Sequence, residues 1–292
     1  MSSFFSAFVI VGALGSLLAF FLILQMNNRS NNKPGQTTGH QYDGTEEYDN
    51  PLPAWWYWGF IGTIVFGLGY LAYYPGLGNF PGLSGWTQVN QLEAEQVIAD
   101  ERYGPIFAQY REIPVETLSG NPAAMKMGHR LFINNCAVCH GAAATGSFGF
   151  PNLTDAEWIW GGEGDTIETT LRYGRNAAMP AWESVLGVQG IKEVTEYVLS
   201  LSGREVDAAL ASSGQAHFTT YCTMCHGPEG KGQVMFGAPN LTNDIWLYGN
   251  SRMRIAQVIK HGRNGAMPAF ESRLGRDKVH ILAAYVKSLG ES

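Results

Sequence analysis

The stretch "NNCAVCHGAA", residues 134–143, contains two cysteines separated by two residues and a histidine directly after the second cysteine. The pattern returns in "TTYCTMCHGP", residues 219–228. All four cysteines of the chain lie in these motifs, which consist of Cys136, Cys139 and His140 in the first copy and Cys222, Cys225 and His226 in the second. CxxC pairs occur in structural zinc sites, in redox disulfides and at the covalent attachment sites of c-type haem. The surrounding sequence indicates which of these three sites is present.

The composition excludes some functions and favours a cofactor-binding protein. The chain has 292 residues, which suits two small domains with additional segments. Only 15% of the residues are charged, the formal net charge is -6 and no run of lysines or arginines occurs, so we expect no nucleic-acid partner. The 36 glycines and 8 tryptophans are typical of loop-rich domains whose side chains pack around a large flat cofactor.

Two uncharged stretches near the start of the chain are long enough to cross a lipid bilayer as helices. The first covers residues 4–24. A cleaved signal peptide is the alternative, but no Lys or Arg precedes the stretch and no small-x-small cleavage site closes it. We therefore expect a retained anchor, transmembrane helix 1, within residues 1–28.

The second uncharged stretch, residues 55–74, begins with four consecutive aromatic residues and ends in tyrosines. Aromatic belts are typical of both membrane–water interfaces, which favours a transmembrane helix over a buried core helix. Arg29 and Lys33 lie between the two stretches, whereas the segment directly after the second stretch carries no Lys or Arg. The positive-inside rule then predicts a cytoplasmic loop at 29–54 and a periplasmic linker at 75–118. The prediction is a two-span protein of the bacterial inner membrane with both termini in the periplasm.

The C-terminal two-thirds of the chain contains an internal duplication. The matching segments are "GHRLFINNCAVCHG" (128–141) with "GQAHFTTYCTMCHG" (214–227), "PNLTDAEWIWG" (151–161) with "PNLTNDIWLYG" (239–249), and "YGRNAAMPAWES" (173–184) with "HGRNGAMPAFES" (261–272). Two copies of domain size predict two similar domains rather than a solenoid. We place these domains at 119–202 and 214–292, with a junction at 203–213.

The CxxCH motif is the attachment signature of c-type haem, in which two thiols add to the vinyl groups and the adjacent histidine becomes an axial ligand of the iron. Structural zinc prefers four ligands, and each half of the duplication offers three. A thioredoxin-like CxxC belongs near a βαβ pattern, and the sequence shows none. Two copies inside matched repeats, on the side of the membrane where haem c is attached, predict two covalently attached haem c groups.

A methionine is the expected second axial ligand of each iron. Met179 and Met267 occur at equivalent positions of the repeat, each inside "GRNxAMPA". Most methionines in proteins fill gaps in the core, and those without a repeat partner fit that role. We assume that each methionine serves the haem of its own repeat, and the sequence leaves open a crossed arrangement in which each half lends its methionine to the other haem. An iron with histidine and methionine ligands has no open position, so electron transfer is the expected chemistry.

Each half resembles class I cytochrome c, so the expected fold is mainly α, with two N-terminal transmembrane helices and two tandem cytochrome c domains. The resemblance rests on a Gly-x3-aromatic-x3-Cys pattern, formed by Gly128, Phe132 and Cys136 and again by Gly214, Phe218 and Cys222. It implies a C-terminal helix that crosses this pattern near Tyr197 in one half and Tyr285 in the other. It also implies that the carbonyls of Pro151 and Pro239 accept hydrogen bonds from the axial histidines. Arg175 and Arg263 are candidates for ion pairs with haem propionates, the alternative being that both are solvated.

The segment "HQYDGTEEYDNPLPAWW", residues 40–56, resembles the segment before the membrane span in the dihaem subunit of cbb3-type cytochrome c oxidases. The resemblance implies a subunit without a catalytic centre of its own. Such a subunit accepts electrons from a donor cytochrome c and passes them through a monohaem subunit to the haem–copper subunit that reduces oxygen. Two alternatives remain open: a dihaem anchor of a different periplasmic redox complex, and a dihaem peroxidase, which would need one iron without its second ligand.

Overall fold

A computed structural model describes residues 1–28 and 35–290. The charges of Arg29 and Lys33, on which the predicted topology depends, lie outside these described residues. The chain divides into two units, Met1–Arg102 and Tyr103–Ser292, and the described part is mainly helical, as expected.

The first unit contains two helices that pack against each other in antiparallel directions. They are α1, Ser3–Asn27, and α2, Ala54–Tyr73. At one end of the pair the Gln25 side-chain amide donates to the Tyr57 hydroxyl over 2.5 Å. At the other end the backbone N–H of Asn79 donates to the Ser6 hydroxyl over 2.9 Å. Hydrogen bonds at both ends therefore hold the two apolar helices side by side.

Among the described helices, α1 alone combines the length and the hydropathy that a membrane span requires. This criterion does not separate an anchor from a signal sequence, so the retention of α1 stays a prediction. Helix α2 begins with four aromatic residues at 55–58, and tryptophan and tyrosine prefer the membrane interface to its apolar interior. A second span at 55–74 and the periplasmic orientation also stay predictions.

A β-hairpin and a long exposed helix complete the region before the duplication. The hairpin pairs β1, Thr37–Tyr42, with β2, Thr45–Tyr48. Its two-residue turn places Asp43 at φ 48° and Gly44 at φ 81°, and Asp-Gly is a favoured pair for such a turn because both positions require positive φ. The helix is α3, Gln88–Ala108, which buries no residue.

The second unit consists of helices and two short strands. In chain order they are α4, Val115–Leu118; α5, Pro122–Asn135; α6, Ala137–His140; α7, Gly164–Tyr173; β3, Arg175–Met179; α8, Glu183–Leu201; α9, Ala208–Tyr221; α10, Thr223–His226; a 3-10 turn, Val234–Phe236; α11, Arg252–His261; β4, Arg263–Met267; α12, Glu271–Leu274; and α13, Arg276–Leu289. Asn121 caps α5 and Asp207 caps α9, and each side chain accepts two backbone N–H groups. The two halves of the duplication therefore begin with equivalent helices.

The expected helix crossings are present, but each joins a helix of one half to a helix of the other half. A Cβ atom on Gly128 in α5 would lie 2.5 Å from Cβ of Tyr285 in α13. A Cβ atom on Gly214 in α9 would lie 2.1 Å from the carbonyl oxygen of Glu193 in α8. Glycine at both positions thus lets the helices approach more closely than any other residue would allow.

The two halves therefore exchange segments and build two spatial modules. Module A consists of α4–α7 with α12 and α13, and its core includes the fully buried Phe132 and Leu282. Module B consists of α8–α11, and its core includes Phe218 and Val194. The boundaries 119–202 and 214–292 stay predictions about repeats along the sequence. In space, module A takes its last two helices from the second repeat.

An antiparallel ribbon of β3 and β4 marks the place where the chain passes from one module to the other. Its register pairs Arg175 with Met267 and Met179 with Arg263. Gly174 has φ 72°, and a Cβ atom there would lie 2.3 Å from the carbonyl oxygen of Met267. Gly262, with φ 68°, would place a Cβ atom 2.4 Å from the carbonyl oxygen of Met179. A glycine before each strand is thus required for the strands to pass at this distance.

Candidate haem-binding sites

The first CxxCH motif lies where α5 ends and α6 begins. Cys136 ends α5, and Cys139 and His140 belong to the single turn of α6. The imidazole of His140 is buried, and its Nδ1 donates to the carbonyl oxygen of Pro151 over 3.0 Å. This hydrogen bond fixes the orientation of the ring and leaves Nε2 as the nitrogen that would bind a metal.

The second motif repeats this arrangement at the end of α9. His226 is as buried as its counterpart, and its Nδ1 lies 3.2 Å from the carbonyl oxygen of Pro239. Burial lowers the pKa of His226 below its ordinary value, which favours the neutral ring. A neutral imidazole that donates from Nδ1 has its lone pair on Nε2, the form that a metal ligand requires.

The segments that begin with the two prolines are held against the histidine loops by close backbone packing. A Cβ atom on Gly146 would lie 2.4 Å from the carbonyl oxygen of Phe150. A Cβ atom on Gly232 would lie 2.4 Å from the carbonyl oxygen of Ala238. Both glycines have positive φ, so the tight loop that carries each proline carbonyl to its histidine depends on glycine in both modules.

The cysteine thiols do not resemble those of a reactive redox pair. All four cysteines are free thiols. Burial raises the pKa of Cys136 and that of Cys222 to about 11 each, whereas reactive CxxC pairs depend on a lowered thiol pKa. Within residues 1–28 and 35–290, no group of three or more His, Cys, Asp and Glu side chains is arranged to hold a metal ion. The raised thiol pKa values therefore argue against a disulfide exchange site.

The two methionines of the ribbon lie with the CxxCH motif of the opposite half. Met267 packs on the core of module A, which contains Cys136 and Phe132. Met179 packs on the core of module B, which is formed around Phe218 with Cys222 packed against it. Where the sequence leaves the pairing open, the structure brings each methionine to the module of the other repeat.

The two arginines beside the methionines are half-buried on aromatic rings. The guanidinium of Arg175 lies 4.9 Å from the ring centre of Trp160 and donates from Nε to the Thr170 hydroxyl over 2.8 Å. The guanidinium of Arg263 lies 5.1 Å from the ring centre of Tyr248. These aromatic partners occupy equivalent positions of the repeat and were missed from the sequence, because a second aromatic residue, Trp158 or Trp246, stands two positions before each of them. Propionate contacts of the arginines stay a prediction.

Two other equivalent tryptophans, Trp158 and Trp246, line one cavity of about 460 Å³ between the Pro-Asn-Leu-Thr segments of the two modules. Among the described residues, the indole N–H of Trp246 is a buried side-chain donor without a hydrogen-bond partner. Buried donors are rarely left unpaired, so this group points to an acceptor supplied by a ligand. A haem propionate is an acceptor of that kind.

The residues of each module fit a haem c group. Two thiols, an imidazole with Nε2 free and a thioether are the donor set that haem c requires, and the orphaned indole N–H adds a donor for its carboxylates. When bound, such a group supplies a one-electron couple. The protein's part is to fix the imidazole through Pro151 and Pro239 and to hold the thioether on a ribbon shared by both modules.

Comparisons with known proteins confirm the resemblance seen in the sequence. Residues 34–81 match the family model of the N-terminal domain of cytochrome oxidase-cbb3, FixP, and residues 123–198 and 209–286 both match that of cytochrome c oxidase, cbb3-type, subunit III. The chain is 42% identical over its whole length to a cbb3-type cytochrome c oxidase subunit CcoP of Rubrivivax gelatinosus, covering 98% of that protein. A CcoP of Cereibacter sphaeroides is 38% identical over 88% of the chain and 96% of its own length, and a FixP of Azorhizobium caulinodans is 37% identical over 87% and 92%. The chain belongs to the family of CcoP and FixP cytochrome c subunits of cbb3-type cytochrome c oxidase.

Proposed function

We propose that this chain carries two haem c groups with exchanged methionine ligands. Cys136 and Cys139 attach the haem of module A, which His140 and Met267 ligate. Cys222 and Cys225 attach the haem of module B, which His226 and Met179 ligate. The observation that carries the proposal is that each module brings together one CxxCH motif, one histidine held by a proline carbonyl and the methionine of the other repeat.

The arrangement suits electron transfer rather than catalysis on a substrate. A histidine and a methionine together fill both axial positions of an iron, so neither oxygen nor peroxide finds a free site. Burial of the histidines and the close packing of the proline segments keep the coordination in place during oxidation and reduction. The peroxidase alternative would need one open position, and both modules contain a methionine that can close it.

The names of the relatives support a place within a cbb3-type oxidase. In this proposal the chain is the electron-transfer subunit. It receives electrons from a donor cytochrome c and passes them, through a monohaem subunit, to the haem–copper subunit that reduces oxygen to water. The paired helices α1 and α2 anchor it in the inner membrane as two spans, with both modules in the periplasm.

Mass spectrometry of the full chain, purified in mild detergent, tests the proposal. We expect the added mass of two haem groups, one of which is lost in Cys136→Ser/Cys139→Ser and the other in Cys222→Ser/Cys225→Ser. We also expect the haem–copper subunit to copurify. A chain without added haem would refute the cofactor assignment, and copurification of a periplasmic dehydrogenase instead would refute the oxidase assignment.

A further inference from the structure

The edges of the two CxxCH motifs carry different side chains at equivalent positions of the repeat. Helix α12 and the start of α13 correspond to the first turns of α8, and a glycine with positive φ occurs at the same point in both, Gly275 and Gly187. In this alignment Arg273 and Arg276 of module A correspond to Val185 and Val188 of module B. All four side chains are exposed, so the difference is one of surface chemistry.

Arg273 lies directly beside the first motif. Its Nη2 donates to the side-chain oxygen of Asn135, the last residue of α5, over 3.2 Å. Its positive charge acts on the Cys136 thiol, where it opposes the effect of burial on the thiol pKa. Val138, between the two cysteines, is 90% exposed. We call Val138, Arg273 and Arg276 edge A.

The carboxylates next to edge A in sequence form their close ion pairs with other arginines, and the charge of Arg276 also acts on both carboxylates. Glu271 is bound by Arg172, with a shortest distance of 2.8 Å, and Asp277 by Arg111, at 2.7 Å. In the part of the chain that the structure describes, Arg273 and Arg276 take part in no salt bridge. Edge A is therefore a local positive surface on a protein whose formal net charge is -6.

The surrounding helices enlarge the difference between the modules. Exposed Lys126 and Arg130, one turn apart on α5, correspond to Ser212 and Ala216 on α9. The edge of module B consists instead of exposed apolar side chains, which we call edge B: Val185, Val188 and Met224. Four cations of module A thus have uncharged counterparts in module B.

We propose that edge A is the docking surface for a soluble electron-transfer protein with an acidic contact surface, and that edge B does not bind this partner. The inference rests on the proposed function, because it assumes a haem at both edges. Opposite charges steer a partner to a site and raise its association rate, and the exposed Val138 supplies an apolar centre within the charged rim. Electrons therefore pass between this partner and the chain at module A.

An anionic membrane surface would also be attracted by cations. The acidic protein is the occupant we favour, because Arg273 lies beside the motif that attaches the haem and edge A contains a single apolar side chain, Val138. A membrane-binding surface would combine its cations with a broad apolar face. The exposed apolar side chains Val185, Val188 and Met224 belong to edge B instead.

The test is electron transfer from two probes that differ in charge. The probes are a reduced, lysine-rich soluble cytochrome c and the same protein with its lysines succinylated, mixed in a stopped-flow instrument with the oxidised full chain in detergent. Arg273→Val/Arg276→Val gives edge A the residues of edge B, and Val185→Arg/Val188→Arg makes the reciprocal change. Lys192→Ala/Lys231→Ala changes the net charge equally at exposed positions of module B and serves as the control.

We expect the succinylated probe to transfer electrons about ten-fold more slowly to Arg273→Val/Arg276→Val than to the wild type at low salt. The difference should disappear at high salt, because the charges are then screened. The reciprocal variant should react faster than the wild type, and the control should match the wild type. Unchanged haem content and circular dichroism verify that each variant is folded.

Equal rates for Arg273→Val/Arg276→Val and the control would overturn the proposal. It would equally be overturned if the arginine variant lost binding to vesicles of anionic lipid while its electron-transfer rates stayed at the wild-type value. Absence of electron transfer from either probe to the haem-loaded wild type would refute the proposed function itself. That result is distinct from a failure of the docking surface alone, in which the wild type still accepts electrons.

Discussion

Modules A and B share three kinds of contact, but the helices that make these contacts are arranged differently along the chain. In module B, helices α8–α11 follow one another along the sequence. In module A, helices α4–α7 are separated from α12 and α13 by the whole of module B. Each module nevertheless contains a glycine crossing, a motif histidine bound to a proline carbonyl and a packed methionine. The repeat therefore specifies which segments touch and does not require them to come from one continuous stretch.

The contacts that close the two modules differ accordingly. In module A, His280 of the returning helix α13 bonds to the Glu168 carboxylate from Nδ1 and to the carbonyl oxygen of Ile113 from Nε2, each over 2.8 Å. Its counterpart in module B, Lys192, is exposed. Module B is closed instead by Glu196 of α8, which is bound by Arg252 of α11. The discontinuous module thus ties its separate parts through a buried histidine in addition to the ion pairs Arg172–Glu271 and Arg111–Asp277, and the continuous module uses the ion pair near its junction.

The largest expected effect concerns the exchange of the methionines. The full chain with Cys222→Ser and Cys225→Ser keeps one haem, which our proposal places in module A. Met267→His then replaces a thioether by an imidazole and should lower the midpoint potential by roughly 0.2 V, because axial ligands set the potential. Met179→His should leave this potential unchanged. A redox titration followed by absorption measures both values.

The reciprocal background, Cys136→Ser with Cys139→Ser, is the control for this experiment. There the outcome should reverse, with Met179→His lowering the potential and Met267→His leaving it unchanged. A haem stain verifies that each chain carries one haem. In either background, the midpoint potential could instead shift when the changed methionine belongs to the same repeat as the remaining CxxCH motif. That result would show that the ligands are not exchanged.

The pairing of the methionines also marks the limit of what the sequence predicts. The two CxxCH motifs were predictable, because each is a short pattern that occurs twice, whereas the helix crossings and the proline hydrogen bonds were expected from the resemblance to class I cytochrome c. The core on which each methionine packs was not predictable, because Met179 and Met267 have nearly identical flanking residues. Their placement on opposite modules depends on the close passage of the two strands, at Gly174 and Gly262, which is a property of the folded chain.

The aromatic partners of the two arginines show a second limit. Trp160 and Tyr248 each stand two positions after another aromatic residue, so spacing alone does not indicate which ring faces Arg175 or Arg263. The different chemistry of edges A and B is, by contrast, readable from the aligned repeats. Its significance depends on the placement of Arg273 beside the first motif, and this placement follows from the exchanged helices.

The next largest effect should come from the histidine that closes module A. His280→Ala leaves the partly buried Glu168 carboxylate and the Ile113 carbonyl without this partner, and we expect the free energy of local opening of α13 to fall by about 2 kcal/mol. The matched change Lys192→Ala affects an exposed side chain and should alter the corresponding value for α8 by less than about 0.5 kcal/mol. Hydrogen exchange read by mass spectrometry reports both helices in one sample. Equal protection of α13 in His280→Ala and the wild type would show that this histidine does not close the module.

The smallest effect, and the one that depends on pH, concerns the ion pair of module B. The carboxylate of Glu196 is 4% exposed, whereas Arg252 is 56% exposed. The guanidinium of Arg252 lowers the pKa of Glu196 below the ordinary value of 4.5. A carboxylate with a lowered pKa stabilises the folded state fully above its unfolded pKa, and this contribution is lost as the pH falls through the folded pKa. The stabilising contribution of Glu196 to module B should therefore decrease as the pH falls below the ordinary glutamate pKa. Between that pKa and neutral pH the contribution should stay constant.

Glu196→Gln isolates this contribution, because the amide keeps the size of the side chain and removes its charge. Since Arg252 is half exposed, solvent weakens the pair, and we expect the variant to be about 1 kcal/mol less stable than the wild type near neutral pH. The difference should shrink as the pH falls below the ordinary glutamate pKa and through the lowered pKa of the folded state, because the wild-type carboxylate then also becomes neutral. Hydrogen exchange of α9, corrected for the intrinsic exchange rates at each pH, measures this difference in stability between the variant and the wild type. A difference that stays constant with pH would assign the loss to packing or to the hydrogen bond with the Asp207 backbone, since neither requires the charge.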